Sequence, residues 1–460
     1  MGVGVKDKDG YNGSTMPETG RKILFFLFVS GFIVFAPVVV LYTAGYRYSL
    51  QSGRFVQTGI LSATSIPKDA GIFLDGERLK SKTPAIAKNI LPGEHLVRIE
   101  KDGYLPWIKR LSFYSQVTTF IHKAVLFLDQ PALQVHEARA SESAAFPYGQ
   151  KIAYAKQEGR GQEIWTFKTD GTQTLIARIP LVSPAPKMHW SADGAFLSLQ
   201  TPLRNGFSTS LVDANSGEVI RLPSASEKDG WWDASVGSRY YTSTALGVSQ
   251  FTLASRTAAT LPRNTLAATS DGASLFLLQR TPQGLALARY TVSDPLSTRV
   301  LTHLPFGAYR FQPAPPEYLL LEETGRHRLL LISKSGEEAK IKLSVPALLW
   351  QWEPDGQRLL YSDGFDLHLY RPDAESDTII TRQSKRITSL AWHPEGSAVI
   401  FTQEDGLFAI ELDTRDLLNT IKLESGQGFA SVLVDDKGKN AYFIGTIKGS
   451  SGLYRRALQK

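Results

Sequence analysis

The pattern of hydrophobic and polar positions divides the chain into three regions, and the first is one long apolar run. The run "ILFFLFVSGFIVFAPVVVLYTAGY" extends from Ile23 to Tyr46 and contains no charged residue. About 20 apolar residues suffice to cross a bilayer as a helix, and a run that is apolar on every face differs from the one-sided stripe of a soluble helix. We therefore predict an uncleaved transmembrane helix over residues 23–44. The alternative is a cleaved signal peptide, but "LYTAGY" is a poor cleavage site.

Basic residues near this run predict its orientation. More of them precede the run than follow it within twenty residues: Lys6, Lys8, Arg21 and Lys22 on one side, and Arg47 and Arg54 on the other. Because cytoplasmic flanks carry the excess of Lys and Arg, we expect a single-pass protein of the cell membrane with a cytoplasmic N-terminus. Residues 1–22 then form a disordered cytoplasmic tail. Residues 45–57 form a juxtamembrane spacer, and the rest of the chain is extracytoplasmic.

The second region, residues 58–128, alternates short apolar runs with turns. The stretch "GIFLDGERL" predicts a hairpin around Asp75-Gly76, since glycine accepts the positive φ that a tight turn requires. The stretch "EHLVRIEK" alternates apolar and polar residues as a half-buried strand does, and "KDGY" predicts a further turn. This pattern predicts a compact domain of short strands.

The order of motifs in the second region resembles that of the PEGA domain. Its matching positions are Pro67, Ala70, Asp75, Gly76, Thr83, Pro84, Pro92, Gly93, Gly103, Tyr104 and Trp107. The family's name-giving tetrapeptide reads "PKDA" here, which weakens the match only at the first turn. The resemblance implies a compact β-sandwich of bacterial and archaeal surface proteins that mediates interactions and supplies no catalytic residues. We expect Trp107 to fill its core.

In the third region, residues 129–460, one sequence motif recurs. Its copies are "HWSADGAFLSL", "WEPDGQRLLY" and "WHPEGSAVIF", and each contains an aromatic residue, a turn and an apolar run typical of a buried strand. Units of this kind recur every 36 to 44 residues, with their first strands aligned at Phe146, Trp190, Trp232, Ala268, Phe311, Trp352, Trp392 and Val434. We predict that the large aromatic side chains of these strands pack between adjacent units.

Four strands in about 40–45 residues are typical of a β-propeller blade. We predict a mainly β protein with a propeller of about eight blades, and seven is the alternative. The last unit contains only three recognisable strands, and "ALQVHEA" (residues 132–138) is a candidate for its fourth strand. The repeats resemble TolB-type and WD-repeat-like propellers, a resemblance that bears on fold much more than on function.

Composition narrows the possible chemistry. The chain has no cysteine, which excludes disulfides and thiolate metal sites, and its net charge of +7 comes from interspersed charges without a basic stripe for nucleic acid. We find no Gly-x-Ser-x-Gly elbow, no His-Glu-x-x-His pair and no phosphate-binding glycine loop. We therefore predict that the chain is not an enzyme, with no catalytic residue, cofactor or bound metal.

The candidate ligand-binding residues are three tryptophans near the inner strands: Trp231, Trp232 and Trp350. Exposed indoles at a propeller rim would suit stacking on a sugar or peptide, whereas buried ones would serve blade packing. We place this rim at the loops between second and third strands, such as "TPLRNGFS" and "QRTPQG".

The predicted function is a membrane-anchored, extracytoplasmic binding or scaffold protein of the prokaryotic cell envelope. Its expected partners are the membrane, through the anchor, and an envelope protein or a cell-wall glycan, through the propeller; nucleic acid is not expected. The alternatives are an envelope enzyme with an active site in the propeller channel, and a subunit of a secretion or transport assembly.

Overall fold

A computed structural model describes most of the chain. The described residues are 18–49, 53–137, 140–146, 148, 150–181, 185–222, 229–245, 247–291, 294–334, 339–416, 418 and 420–460. Backbone contacts divide the chain into two compact units. The first consists of Met1–Arg98 and Arg110–Lys123, and the second of Ile99–Lys109 and Ala124–Lys460. The part of the predicted cytoplasmic tail before residue 18 lies outside the described residues.

The first unit begins with the predicted apolar helix. Helix α1 spans Glu18–Thr43, has Pro37 inside it and buries none of its residues. It is long and apolar enough to cross a membrane. A short antiparallel hairpin follows, made of β1 (Tyr46–Ser49) and β2 (Arg54–Gln57).

The next strands form two sheets, in the orders β6-β3-β9 and β5-β4-β7-β8. Their bounds are β3 Gly59–Ile66, β4 Gly71–Leu74, β5 Glu77–Lys82, β6 Ala85–Ile90, β7 Gly93–Glu100, β8 Trp107–Phe113 and β9 Thr118–Val125. Side chains alternate strictly between buried and exposed along β8, and between buried and half-buried along β3. This alternation is what a sandwich with one face toward its core requires, and the predicted small β-sandwich is confirmed.

Trp107 is buried, as expected, but its polar partner lies far along the chain, within the second unit. Its indole Nε1 donates to Glu411 Oε2 at 2.5 Å, and the Lys109 Nζ, whose side chain is fully buried, donates to Glu411 Oε1 at 2.5 Å. Burial raises the pKa of Glu411, whereas the hydrogen bond and the charge of Lys109 oppose that rise. A buried charge of this kind has to be paired, and here the pair is complete.

The second unit contains eight four-stranded antiparallel sheets within the described residues, which we number blades 1 to 8. Strand β10 (Leu133–Glu137) precedes blade 1. Blades 1 to 4 consist of β11 Ala140–Phe146, β12 Lys151–Glu158, β13 Gly161–Lys168, β14 Gln173–Pro180; β15 Lys187–Trp190, β16 Phe196–Leu203, β17 Gly206–Asp213, β18 Val219–Arg221; β19 Asp229–Trp232, β20 Arg239–Thr244, β21 Gly247–Thr252, β22 Thr257–Thr260; β23 Thr265–Ser270, β24 Ser274–Thr281, β25 Gly284–Thr291 and β26 Asp294–Leu304.

Blades 5 to 7 repeat this order. They consist of β27 Tyr309–Gln312, β28 Tyr318–Glu323, β29 Arg328–Ser333, β30 Ile341–Pro346; β31 Leu349–Trp352, β32 Leu359–Ser362, β33 Asp366–Arg371, β34 Ser376–Arg382; β35 Ile387–Trp392, β36 Ala398–Gln403, β37 Gly406–Glu411 and β38 Thr420–Ser425. The remaining strands, β39 Gln427–Val434, β40 Asn440–Ile447 and β41 Ser450–Ala457, belong to blade 8.

Blade 8 is assembled from distant parts of the chain. Its order is β10-β41-β40-β39, so β10 supplies the outermost strand by pairing with β41. Blade 8 also meets blade 1, because the hydroxyls of Ser143 on β11 and Ser431 on β39 lie 2.8 Å apart. The ring is thus closed, and the eight-blade prediction is confirmed; the candidate strand is confirmed over Leu133–Glu137.

Tryptophans at the end of inner strands bind one blade to the preceding one. The indole N–H of Trp190 donates to the Ala144 carbonyl at 3.0 Å, and that of Trp232 donates to the His189 carbonyl at 2.9 Å. Trp392 donates in the same way to the Gln351 carbonyl at 3.2 Å. The predicted packing of these aromatic residues between blades is confirmed.

The sequence alignment of the repeats is wrong in blade 4, where it selected Ala268. The turn after the inner strand is closed by Ser191 N to Phe196 O in blade 2, but by Asp271 N to Ser274 O in blade 4. The blade 4 turn is therefore two residues shorter, and Ser270 occupies the position that the alignment gave to Ala268.

Candidate binding site in the propeller channel

Side chains from non-adjacent blades meet at the axis of the propeller. The hydroxyl of Tyr148, in the first turn of blade 1, donates to the Trp352 carbonyl of blade 6 at 3.1 Å. The guanidinium of Arg310, on β27 of blade 5, forms a bidentate pair with Asp229 on β19 of blade 3, with Nε 3.0 Å from Oδ2. Contacts that skip a blade are possible only where inner strands converge, so these residues mark the channel.

The channel contains a cavity of about 330 Å³, which we call the channel cavity. Inner strands and first turns of blades 1, 2, 3 and 5 line it: Ala144, Ala145, Phe146, Tyr148, Met188, His189, Trp190, Ser191, Ala192, Gly230, Trp231, Trp232, Asp233, Ala234, Arg310, Phe311, Gln312 and Pro313. Its wall is mainly apolar and aromatic, with a few polar groups. This composition and size are those of a small-molecule or side-chain pocket.

Arg310, which is paired with Asp229, and the imidazole of His189 contribute much of the polarity of the channel cavity. His189 projects from β15 with its ring accessible from the channel, although protein surrounds it. The resulting desolvation, with the nearby cations Arg310 and Lys187, lowers the pKa of His189 to about 4. At neutral pH the cavity therefore presents a neutral imidazole beside an ion pair whose two side chains are 26% and 32% exposed.

A second cavity of about 510 Å³ adjoins the channel cavity and shares four lining residues with it: Tyr148, Ala192, Ala234 and Pro313. We call it the turn cavity, because the turns after the inner strands of blades 5 and 6 form much of its wall. In blade 5 this turn is the proline-rich segment 313–316, which replaces the Asp-Gly type of turn found in blade 2. Lys334 and Asp271 also line it, with Nζ 3.8 Å from Oδ2, and burial lowers the pKa of Lys334.

The channel cavity can contact a ligand in three ways. The channel cavity offers aromatic and apolar surface, the neutral imidazole of His189, and the guanidinium of Arg310, which donates hydrogen bonds and is held in place by Asp229. The described part of the chain contains no group of three or more His, Asp or Glu side chains placed to hold a metal ion. The arrangement suits recognition of a polar, partly planar group such as a sugar ring or a peptide segment.

The structure separates the three tryptophans predicted as ligand-binding residues. Trp231 and Trp232 both line the channel cavity, but each is only 7% exposed. The indole N–H of Trp231 donates to the Ala268 carbonyl at 3.3 Å, and that of Trp232 to the His189 carbonyl. Trp350 is half-buried against the core of blades 5 and 6 and lines neither cavity.

The two cavities open among different loops from those expected. The described residues that line them come from inner strands and from the turns between first and second strands, apart from Lys334, and none comes from the predicted rim loops between second and third strands. Sequence reasoning did not select Tyr148, His189, Asp229 or Arg310. One signal was present, because Arg310 is a charged residue within "AYRFQ", an inner strand that is otherwise largely apolar.

Comparison with known proteins identifies one domain. Residues 58–124 match the PEGA domain, in agreement with the resemblance seen in the sequence and with the small β-sandwich. A search of curated proteins found no match.

Solved structures similar to this chain include propeller proteins of very different sequence. The C-terminal WD40 domain of Sif2 is 13% identical, with a TM-score of 0.47 over 71% of this chain and 98% of that one. An oligogalacturonate lyase in complex with manganese is 13% identical, with a TM-score of 0.40 over 70% and 99%. An oligogalacturonate lyase from Vibrio parahaemolyticus is 10% identical, with a TM-score of 0.39 over 70% and 98%. Likeness at this level says nothing of what this chain binds.

Proposed function

We propose that the chain is a single-pass protein of the prokaryotic cell membrane, with a cytoplasmic N-terminus and extracytoplasmic β-domains. In this proposal the propeller is a non-catalytic head that binds an envelope protein or a cell-wall glycan. The observation that carries the proposal is the channel cavity, where aromatic surface surrounds His189 and the Arg310–Asp229 pair. The PEGA domain supports it, because such domains are typical of surface proteins that mediate interactions.

The membrane part of the proposal is supported by α1, and its orientation by the basic residues before the helix. Protease added to spheroplasts tests the orientation directly. We expect digestion of the propeller from outside while the N-terminal tail stays protected. Protection of the propeller until the membrane is permeabilised would place it in the cytoplasm and contradict the proposal.

Sedimentation with purified cell-wall sacculi tests the glycan partner. Full-length protein in detergent is mixed with sacculi and pelleted, and soluble wall fragments are added as competitors. Co-sedimentation that the fragments abolish supports a glycan-binding head. If the protein stays in the supernatant, cross-linking in intact membranes then tests for a protein partner.

A matched pair of variants locates the binding site. Arg310→Ala removes half of the bidentate pair in the channel. Arg382→Ala removes half of a similar pair, between Arg382 on the outer strand β34 and Asp366 on β33, where Nε and Nη2 lie 2.7 Å from the two carboxylate oxygens. We expect only Arg310→Ala to weaken binding. Equal binding by both variants would exclude the channel cavity as the binding site. Trp350→Ala would then test the sequence-based candidate that lies outside both cavities.

The same experiments separate the competing functions. Release of sugar or peptide fragments from the wall, lost in Arg310→Ala, would show an envelope enzyme with its active site in the channel. A stable complex with other membrane proteins in detergent extracts would instead favour a subunit of a secretion or transport assembly.

A further inference from the structure

The hairpin directly after α1, which we call the juxtamembrane hairpin (β1 and β2), exposes an aromatic cluster. The register pairs Tyr48 with Phe55, and their rings pack edge to face with centroids 5.4 Å apart. The two side chains nevertheless remain 53% and 58% exposed. Two large exposed rings held together on one hairpin form an apolar patch for which the surrounding protein offers no cover.

The length of α1 sets where this patch lies. The uncharged apolar part from Ile23 to Leu41 is about 28 Å long at 1.5 Å per residue, which is close to the thickness of a bilayer's hydrocarbon core, about 30 Å. Tyr42 is the next residue and is exposed, so it falls where the acyl chains give way to headgroups. The hairpin begins only four residues later.

Contacts at the end of α1 keep the hairpin close to that level. Arg47 Nη1 donates to the Tyr42 carbonyl at 3.0 Å and to the Tyr46 carbonyl at 2.8 Å. Its guanidinium also lies 3.7 Å from the centre of the Tyr42 ring. The other end of the hairpin is fixed as well, because both the backbone N–H and the hydroxyl of Thr58 donate to the Gly45 carbonyl, at 3.1 and 2.9 Å.

These contacts have a consequence for the surface around the helix end. A hairpin that Arg47 and Thr58 bond to the end of the helix stays near the headgroups, whereas a strand running straight out would leave them within a few residues. Aromatic rings are favoured at this depth, because their apolar body can enter the acyl boundary while polar edges stay hydrated. Tyr42 and Arg47, which lie beside these rings, also suit the layer between headgroups and acyl chains.

We propose that the juxtamembrane hairpin is a membrane-interface element, in which Tyr48 and Phe55 insert into the boundary between headgroups and acyl chains. The partner is therefore a lipid surface, contacted by a β-hairpin in addition to the spanning helix. This inference rests on the proposed function in one respect, since it requires α1 to cross the membrane.

Because the chain has no cysteine, one introduced cysteine can be labelled specifically, and this allows a direct test. A single cysteine introduced as Tyr48→Cys or as Phe55→Cys carries the only nitroxide label in full-length protein reconstituted into phospholipid vesicles. Each variant keeps the other ring. Depth is read from the ratio of collision rates with oxygen, which concentrates in lipid, and with a water-soluble nickel chelate.

Two further labels serve as references. The label in Val34→Cys is the reference for lipid, because Val34 lies near the middle of the apolar part of α1. The label in Glu77→Cys is the reference for water, because Glu77 lies on the exposed β5 strand of the same unit. We expect the labels at 48 and 55 to shift toward oxygen relative to the label at 77, to a depth between those at 77 and 34. Accessibility at 48 and 55 equal to that at 77, with 34 in lipid, would overturn the interface element alone. A water-exposed label at 34 would overturn membrane anchoring as well.

Discussion

At the residue scale, each hydrogen bond between adjacent blades comes from a single tryptophan and can be removed by one substitution. Trp232 and Trp352 occupy equivalent positions at the ends of β19 and β31, and they are 7% and 5% exposed. Each stacks on an aromatic ring, Phe196 for Trp232 and Tyr318 for Trp352, with centroids 6.1 and 6.2 Å apart. They differ in two contacts. Trp232 also packs edge to face against Tyr240, with centroids 5.0 Å apart, and the Trp352 indole N–H has no hydrogen-bond partner among the described residues.

This difference predicts unequal costs for the same substitution. Trp232→Phe loses ring volume and the hydrogen bond to the His189 carbonyl, whereas Trp352→Phe loses only ring volume. We expect Trp232→Phe to lower the free energy of unfolding by about 1 kcal/mol more than Trp352→Phe does. Urea unfolding of the two variants measures this, and equal losses would show that the bond between blades does not stabilise the ring.

A second prediction at this scale concerns His393, which directly follows the inner strand of blade 7. The side chain is 2% exposed, and its Nδ1 accepts the backbone N–H of Glu395 at 3.3 Å, so the ring is held unprotonated at that atom. Burial lowers the pKa of His393 below its ordinary value of 6.5. The stability from the neutral ring is therefore present above pH 6.5 and is lost as the pH falls below it.

We expect His393→Asn to lose less stability than the unaltered protein between pH 7.5 and 5.5. Asparagine stays neutral and can still accept the backbone N–H, as Asp233 does from Ser235 and Val236 in the equivalent turn of blade 3. Urea unfolding at both pH values provides the measurement. His303→Asn, at an exposed position, is the control, and an unchanged pH dependence in His393→Asn would contradict the assignment.

Residue-level features were predictable only in part. The aromatic repeat predicted Trp190, Trp232 and Trp392 between blades, because one bulky residue recurred at a nearly constant spacing. The partners in the channel were not predictable in the same way. Tyr148 and Trp352, or Asp229 and Arg310, meet through the curvature of the whole ring, and nothing in their local sequence encodes that proximity.

At the element scale, blade 8 depends on one close approach between strands. A Cβ atom at Gly452 on β41 would lie 2.2 Å from the backbone oxygen of His136 on β10. Side-chain Cβ atoms essentially never come so close, so Gly452→Ala must move β10 away from β41. We expect this substitution to cost about 1–3 kcal/mol, as overpacking does, and to speed hydrogen exchange in β10 specifically.

Gly325→Ala is the matched control, because no atom lies within 4 Å of a Cβ built there. Exchange measured by mass spectrometry should show β10 unprotected in Gly452→Ala and unchanged in Gly325→Ala. Unchanged protection of β10 in both variants would show that this pairing does not depend on the glycine.

Strand order was more predictable than turn length. Alternating apolar runs and Asp-Gly turns predicted four strands per blade and even the role of β10, because an incomplete last blade required another strand. The prediction of turn length failed where the composition of the turn was unusual. Blade 4 closes its first turn between Asp271 and Ser274, and blade 5 uses a run of prolines instead of a glycine turn.

At the scale of the whole molecule, ring closure predicts cooperative stability. Truncation after Ile447 removes β41, which is the only described strand that pairs with both β40 and β10. Blade 8 would then keep β39 and β40 alone, and the faces of blades 7 and 1 would lose part of their cover. We expect calorimetry to show a lower and broader transition with a calorimetric enthalpy above the van't Hoff enthalpy.

A truncation after Gln459 is the control for this experiment, since it removes only the exposed Lys460. It should melt as the full chain does. A single sharp transition at an unchanged temperature after loss of β41 would show that the ring tolerates an open blade.

The outermost strand of blade 8 also imposes an order on biosynthesis. A ribosome that has completed β10 at Glu137 must still add more than 300 residues before it reaches β41 at Ser450. At about 5–20 residues per second this takes roughly 15–60 s, far longer than a strand needs to pair once its partner exists. During synthesis the β10 edge therefore remains without its partner strand, and chaperones would have that interval in which to bind it.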